Sequence, residues 1–299
     1  MRIANHPLYC HQLPNGHRFP MEKYALLPQQ LLYEGLADEN DFFQPSLLTK
    51  TWVEAIHTKE YLDKLDSLSL SKKEERRTGF PLSRQLVERE YIIASGTVQN
   101  GIDAWHGGCS LNIAGGTHHA FASHGEGFCL LNDIAIAANQ LIERFNAKRI
   151  AVIDLDVHQG NGTAHLFQGH EAIYTFSMHG ANNYPMHKER SHLDIPLADG
   201  TKDDEYLYIL ERELDTLFQK QCPEVVFYQS GVDVLASDKL GRLALSMEGC
   251  KRRDSLVFEY CKQAEIGVAV SMGGGYSERI SDILNAHSNT FRQARMVFG

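Results

Sequence analysis

No two of the cysteines stand at C-x-x-C spacing; Cys10, Cys109, Cys129, Cys222, Cys250 and Cys261 are scattered along the chain. That excludes a zinc knuckle or a disulfide framework and favours a reducing cytosol. No apolar run approaches the ~20 residues that span a bilayer, so no membrane segment is expected. Met1 to Cys10 lacks the apolar centre of a secretory leader, and a cytoplasmic protein is expected. Positive charge is in deficit: 29 Lys and Arg against 38 Asp and Glu, a formal net charge of −9. This balance argues against a nucleic-acid surface, and it suits cationic substrates such as lysine side chains or polyamines. Linkers, repeats and low-complexity segments are also missing. With 43% hydrophobic residues over 299 positions, the chain can bury one large core, and residues 1–299 read as a single domain.

What is present centres on residues 149–162. Ile150-Ala151-Val152-Ile153 is an apolar, β-branched run, the pattern of a buried parallel strand. It ends in Asp154, Asp156 and His158 at a spacing of two. Along a strand, alternate side chains share a face, so these three can point the same way. Two carboxylates and an imidazole leaving one strand end are costly to bury without a cation. Capping the next helix needs only one such residue, so the pattern points to a metal site. Gly160 and Gly162 follow and imply a sharp turn at the rim of an α/β sheet.

Other chemistry also falls just after strand-like runs. Cys109 to Ala114 leads to Gly115-Gly116-Thr117-His118-His119, a histidine pair suited to a general base with a partner imidazole. Glu224 to Ser230 leads to Asp233, the expected place for a third ligand. Gly267 to Ser271 leads to Met272-Gly273-Gly274-Gly275-Tyr276, which fits either a weak phosphate cradle or a hinge placing Tyr276 over a pocket. Further strands are expected over Ala172–His179 and Leu193–Leu197. Helices are expected from Pro20 to about Leu36, from Thr58, over Ser83–Trp105, from Asn132 or Asp133, over Asp203–Gln221 and Met247–Lys262, and at the carboxyl end. Residues 1–19, with His6, His11 and His17, read as a structured loop whose histidines pack rather than ligate. Lys72 to Arg77 reads as a solvated charged face. The alternation of strands and helices specifies a three-layer α/β/α fold on a central, mainly parallel sheet.

The motifs Gly115–Ala120, Gly127-Phe128-Cys129, Asp154–Gly162, Gly231-Val232-Asp233 and Gly273–Tyr276 together resemble the zinc-dependent histone deacetylases, which have the arginase/deacetylase fold. The resemblance spans nearly the whole chain. Asn161, where many relatives have Asp, and the compact size look most like the class IV branch and its bacterial members. The resemblance implies a deacylase acting on an acyl-lysine peptide or protein, or on an acylated small amine. Asp156, His158 and Asp233 would bind Zn²⁺, and Fe²⁺ could fill the same donors. His119 would be general base and then acid, with His118, held by Asp154, as its electrostatic partner and Asn161 beside it. Tyr276 would stabilise the oxyanion. A structural K⁺ or Na⁺ would sit at Asp154, Asp156, His158, Ser177 and Met178, mostly on backbone oxygens. Gly127, Phe128, Tyr184, Gly274 and Gly275 would line a substrate channel. Two departures stand out: Asn161 lowers the expected pKa of His119, and the loop from Thr78 to Ser83 lacks the family's acidic residue. Rival readings are an acetylpolyamine or other small-molecule amidohydrolase, a non-catalytic acyl-lysine-binding protein, and a two-metal ureohydrolase, for which the single Asp233 is too few carboxylates.

Overall fold

A computed structural model describes residues 1–299. The strands are β1 (Arg2–Ala4), β2 (Phe42–Phe43), β3 (Cys109–Asn112), β4 (Ile150–Asp154), β5 (Ile173–Gly180), β6 (Leu193–Leu197), β7 (Val225–Gln229) and β8 (Gly267–Ser271). They form one sheet in the order β2-β1-β3-β8-β7-β4-β5-β6, and every pairing is parallel. Parallel pairing needs helical crossovers, and these cover both faces. The helices are α1 (Lys23–Tyr33), α2 (Lys50–Glu54), α3 (Lys59–Asp66), α4 (Lys72–Thr78), α5 (Arg84–Trp105), α6 (Asp133–Phe145), α7 (Asn161–Leu166), α8 (Asp203–Gln221), α9 (Met247–Gln263) and α10 (Ile280–Phe298). Helices α5 and α6 pack together on the sheet, while α8, α9, α10 and α1 pack in succession. Strands β3, β4, β7 and β8 are buried along their whole length, which explains their unbroken apolar runs. Gly101 of α5 permits its close approach to β7, because a Cβ there would lie 2.8 Å from Phe227 Cζ. No helix is long and apolar enough to cross a membrane.

Most starts follow the sequence. The side chains of Thr58, Ser83, Asn132 and Ser246 each accept from a backbone N–H in the first turn of α3, α5, α6 and α9. The amino end differs from expectation. Arg2–Ala4 is a strand, paired in parallel with β2 and β3, and three residues were too few for a periodicity to show. Its histidines do pack: His6 Nδ1 accepts from Leu8 N, and His17 stacks on Phe80.

The sheet's carboxyl edge rests on a buried cation. Arg253 of α9 is fully buried, and its Nη1 donates to Gly231 O at 2.5 Å and to Leu155 O at 3.3 Å, while Nη2 donates to Ser230 O at 3.3 Å. Its charge is balanced by Asp254, which also accepts from Tyr228 and Thr290 hydroxyls. Arg253→Leu would leave the buried Asp254 charge without its counter-ion and those carbonyls without their donor. It is expected to lower unfolding stability by about 3–5 kcal/mol, read from urea melts. A loss under about 1 kcal/mol would show the pair to be dispensable.

Candidate active site

Four neighbouring strands, β3, β8, β7 and β4, deliver the chemistry from their carboxyl ends, where open parallel sheets present ligands. His118 and His119 follow β3, Gly273 to Tyr276 follow β8, Asp233 follows β7, and Asp154 to Asn161 follow β4.

Asp156, His158 and Asp233 form the chain's one cluster of three or more metal-donor side chains, with one donor atom from each within 4.8 Å of the others. Strand β4 stops at Asp154, so convergence here owes nothing to strand alternation. The backbone instead holds one oxygen of each carboxylate: Gly274 N donates to Asp156 Oδ2 at 2.7 Å, and Val157 N to Asp233 Oδ1 at 3.0 Å. The other oxygens, Asp156 Oδ1 and Asp233 Oδ2, lie 3.0 Å and 3.1 Å from His158 Nδ1. Burial drives Asp233 up to about 7, with the Asp156 charge adding to it. His158 is pushed up to about 10; burial opposes this, but hydrogen bonds to both carboxylates prevail. A buried site that raises the affinity of its own imidazole for a proton is one that favours a cation. One nitrogen and two carboxylate oxygens, all buried, fit a divalent ion such as zinc. Glycine is required around it. A Cβ on Gly231 would strike Asp156, and one on Gly274 would strike Asp233. A phosphate cradle is therefore not the purpose of this glycine run; it admits the ligands and leads to Tyr276.

Asp154 stands apart from that group. Its Oδ2 accepts from His118 Nδ1 at 2.7 Å. Burial opposes charge on His118, but Asp154 overcomes it and the net shift is upward. Gly160 serves this contact rather than a turn, since its φ is ordinary and a Cβ there would collide with Asp154 Oδ2. Gly162 likewise lets α7 pass against the backbone of His119 and Ala120.

His119 has a determinable tautomer. Its Nδ1 lies 2.6 Å from Asn161 Oδ1, and Asn161 Nδ2 lies 2.6 Å from Glu126 Oε1. A carboxylate only accepts, so the amide must turn its NH₂ to Glu126 and its oxygen to His119. Nδ1 then carries the proton and Nε2 holds the free lone pair. Burial, then the charges of His118 and His158, hold His119 well below the usual histidine range, so it is neutral at neutral pH. Tyr184 Oη also donates to Glu126 Oε1, at 2.7 Å. Sequence reasoning missed Glu126; a lone Glu in a Gly-flanked loop gives no signal. Glu126→Ala is expected to cut turnover by about 10-fold by freeing the amide to flip, whereas Glu126→Gln, which still accepts both bonds, stays near the parent rate. Equal losses in both variants would contradict this orienting role.

Tyr276 closes the site. Asp238 Oδ2 accepts from Tyr276 N at 2.6 Å, while its Oδ1 accepts from Leu240 N and Gly241 N, tying the two loops together. The turn signature Asp238-Lys239-Leu240-Gly241 could have revealed this anchor. Burial, then the charges of Asp233 and Asp156, push the Tyr276 hydroxyl well above its usual range, so it remains a donor. Beneath it lies Lys23, fully buried, its Nζ donating to Gly273 O at 3.2 Å. Burial lowers this ammonium to about 8, against the pull of Asp233, Asp156 and Asp238. Lysines in a first helical turn are ordinarily solvated, so the sequence gave no hint of its place.

Gly127, Phe128, Tyr184 and Tyr276 line a cavity of about 570 Å³ with His119 and His158 at its floor. Phe128 has φ +68, a strained value costing on the order of 1–2 kcal/mol. It is held there by Phe128 N donating to Thr78 O at 2.7 Å. Gly274 lines a smaller inner pocket beside His118 and Asp156. Gly275, expected on the channel wall, faces the core instead, where a Cβ would lie 2.7 Å from Val232 Cγ2. Ser177 and Met178 lie on β5, and Ser177 is the pairing partner of Asp154. Of the residues expected to hold a monovalent cation, Asp154 and Ser177 are thereby side by side on adjacent strands and Met178 is next along β5, while Asp156 and His158 lie just beyond the end of β4.

Residues 17–291 match the family model described as the histone deacetylase domain. An uncharacterised protein of Picosynechococcus sp. is 42% identical over 99% of both chains. Histone deacetylase 2 of Arabidopsis thaliana is 28% identical over 90% of this chain and 72% of its own. Among solved structures, the crystal structure of an HDAC homolog from Aquifex aeolicus superposes with a TM-score of 0.85 at 25% identity, covering 98% of this chain and 83% of that one.

Proposed function

Because this chain belongs to the histone deacetylase family, we propose that it is a zinc-dependent deacylase that hydrolyses the amide between an acyl group and a lysine side chain or related amine. The observation that carries the reading is the meeting of a buried Asp-His-Asp donor set with a neutral imidazole of oriented lone pair and a protonated tyrosine: Asp156, His158, His119 and Tyr276 line one inner pocket, and Asp233 lies against His158. Asp156, His158 and Asp233 would hold the metal, which when bound polarises the amide carbonyl and makes water a better nucleophile. His119 Nε2 takes a proton from the attacking water and returns it to the departing amine. The His118–Asp154 pair supplies a fixed charge beside it. Tyr276 donates a hydrogen bond from its hydroxyl to the oxygen that gains charge as the carbonyl turns tetrahedral. Gly127, Phe128 and Tyr184 would bracket an extended acyl-lysine, and Gly127 must lack a Cβ because one would sit 2.6 Å from His119 Cδ2.

Further elements belong to the same reading. A K⁺ or Na⁺ would bind where β4 and β5 end, at Asp154, Asp156, His158, Ser177 and Met178. Asn161 supports placement in the class IV branch. Six free cysteines support a reducing, cytoplasmic setting.

Tyr276→Phe removes a single hydroxyl. It is expected to lower kcat by about 10²–10³-fold with metal content and melting temperature unchanged. Turnover near the parent level would refute the oxyanion role.

A further inference from the structure

The acidic chain surrounds its cavity mouth with cations. Of the side chains lining that cavity, four are arginines (Arg18, Arg76, Arg77 and Arg242) and one is a carboxylate, Glu126. The four arginines are solvent-exposed, in a protein whose net charge is −9. Glu126 is not free to answer them, since it accepts from both Asn161 and Tyr184.

Three of the arginines are anchored to a wall of the channel, and Arg76 adjoins Arg77 on α4. The Arg18 guanidinium lies over the Phe128 ring at 4.9 Å. Arg77 O accepts from Gly127 N, and Arg242 N donates to Asn183 Oδ1, one residue before Tyr184. Local acids do not neutralise them. On α4, Glu74 is taken by Lys64 and by Ser71 N, and Glu75 by Leu82 N and Lys72. Arg18, Arg76 and Arg77 form no ion pair, and Arg242 alone has one, an exposed contact with Asp199 at 3.2 Å. Guanidinium forks match carboxylates bidentately and are weakly hydrated, so a set around one opening with three of its four members unpaired is a recognition surface for anions.

We infer that the substrate is an acylated amine carrying carboxylates close to the scissile amide, an acyl-lysine flanked by acidic residues or a small N-acyl amino acid, and that basic peptides and polyamines are disfavoured. The inference rests on the deacylase reading for the identity of the amide. It reverses the expectation from net charge: the whole chain attracts cations, but the field at the cavity is set by the charges that line it.

The test uses metal-loaded full-length protein and acyl-lysine peptides of one length, with acidic, neutral or basic flanks, alongside free Nε-acyl-lysine and an N-acylpolyamine. Both kcat/KM and binding of the labelled peptides by fluorescence anisotropy are measured. The acidic peptide is expected to exceed the basic one by on the order of 10-fold or more at low salt. The gap should narrow as salt is raised, and the ratio should fall severalfold in Arg76→Gln/Arg77→Gln. Preference for the free amino acid over every peptide would assign the carboxylate to a small molecule. Equal or stronger binding and turnover of the basic peptide or the polyamine would overturn the inference. Selective binding of the acidic peptide with no turnover of any substrate would uphold the arginine rim and reject the deacylase reading.

Discussion

Asp156→Ala is expected to lose the metal and the activity together. Asp156 Oδ1 is one of three converging donor atoms, and its Oδ2 anchors Gly274 N, the step of chain that leads to Tyr276. Removing the carboxylate leaves one oxygen and one nitrogen, too few to hold a divalent ion against water. Turnover is then expected at background, and elemental analysis should find no bound zinc. Asp156→Asn provides the control for folding, since its amide oxygen can still accept from the backbone while its charge is gone. A full equivalent of zinc in both variants would remove Asp156 from the ligand set.

His119→Ala is expected to separate metal from chemistry. The imidazole is outside the donor cluster, so zinc content should stay at the parent level. Loss of the general base should lower kcat by about 10²–10⁴-fold. The parent's pH profile follows from the same residue. A base works only when neutral, and burial with the neighbouring His118 and His158 charges holds the His119 pKa well below 6.5. The neutral form therefore persists as pH falls, and the acid limb of kcat/KM should lie below pH 6.5. Asn161→Asp sets a carboxylate against Nδ1, favours the imidazolium, and should move that limb to higher pH. It also faces Glu126 with a second carboxylate, so some loss of stability is expected alongside. An acid limb above pH 7 in the parent would contradict the assignment.

The sequence exposed the fold through long apolar strands and capped helices. Residues 203–221 and 267–271 form α8 and β8 at the expected bounds, and the sheet is wholly parallel. What it hid was short or non-local. Strands β1 and β2 are too brief for a period to register and exist through pairing with β3. Asp154, Asp156 and His158 stand out by their spacing, but strand alternation is not what orients them, because β4 ends at Asp154. Backbone N–H groups from residues 157 and 274 aim the carboxylates, and Asp154 turns to His118. Glu126 and Lys23 act through partners 35 and 250 residues away, beyond any local pattern, whereas Asp238 carries a local turn signature and reaches Tyr276 38 residues on. The charged run at 72–77 was legible as a solvated helix face, yet the same exposure leaves Arg76 and Arg77 on the cavity mouth.

The most direct measurement is release of amine from an N-acyl panel, acetyl- to myristoyl-lysine peptides and acetylated polyamines, by zinc-loaded protein with and without a chelator. The account predicts hydrolysis of an acyl-lysine substrate that the chelator abolishes and added zinc restores. Hydrolysis indifferent to the chelator, or none from a protein holding a full equivalent of zinc, would contradict it.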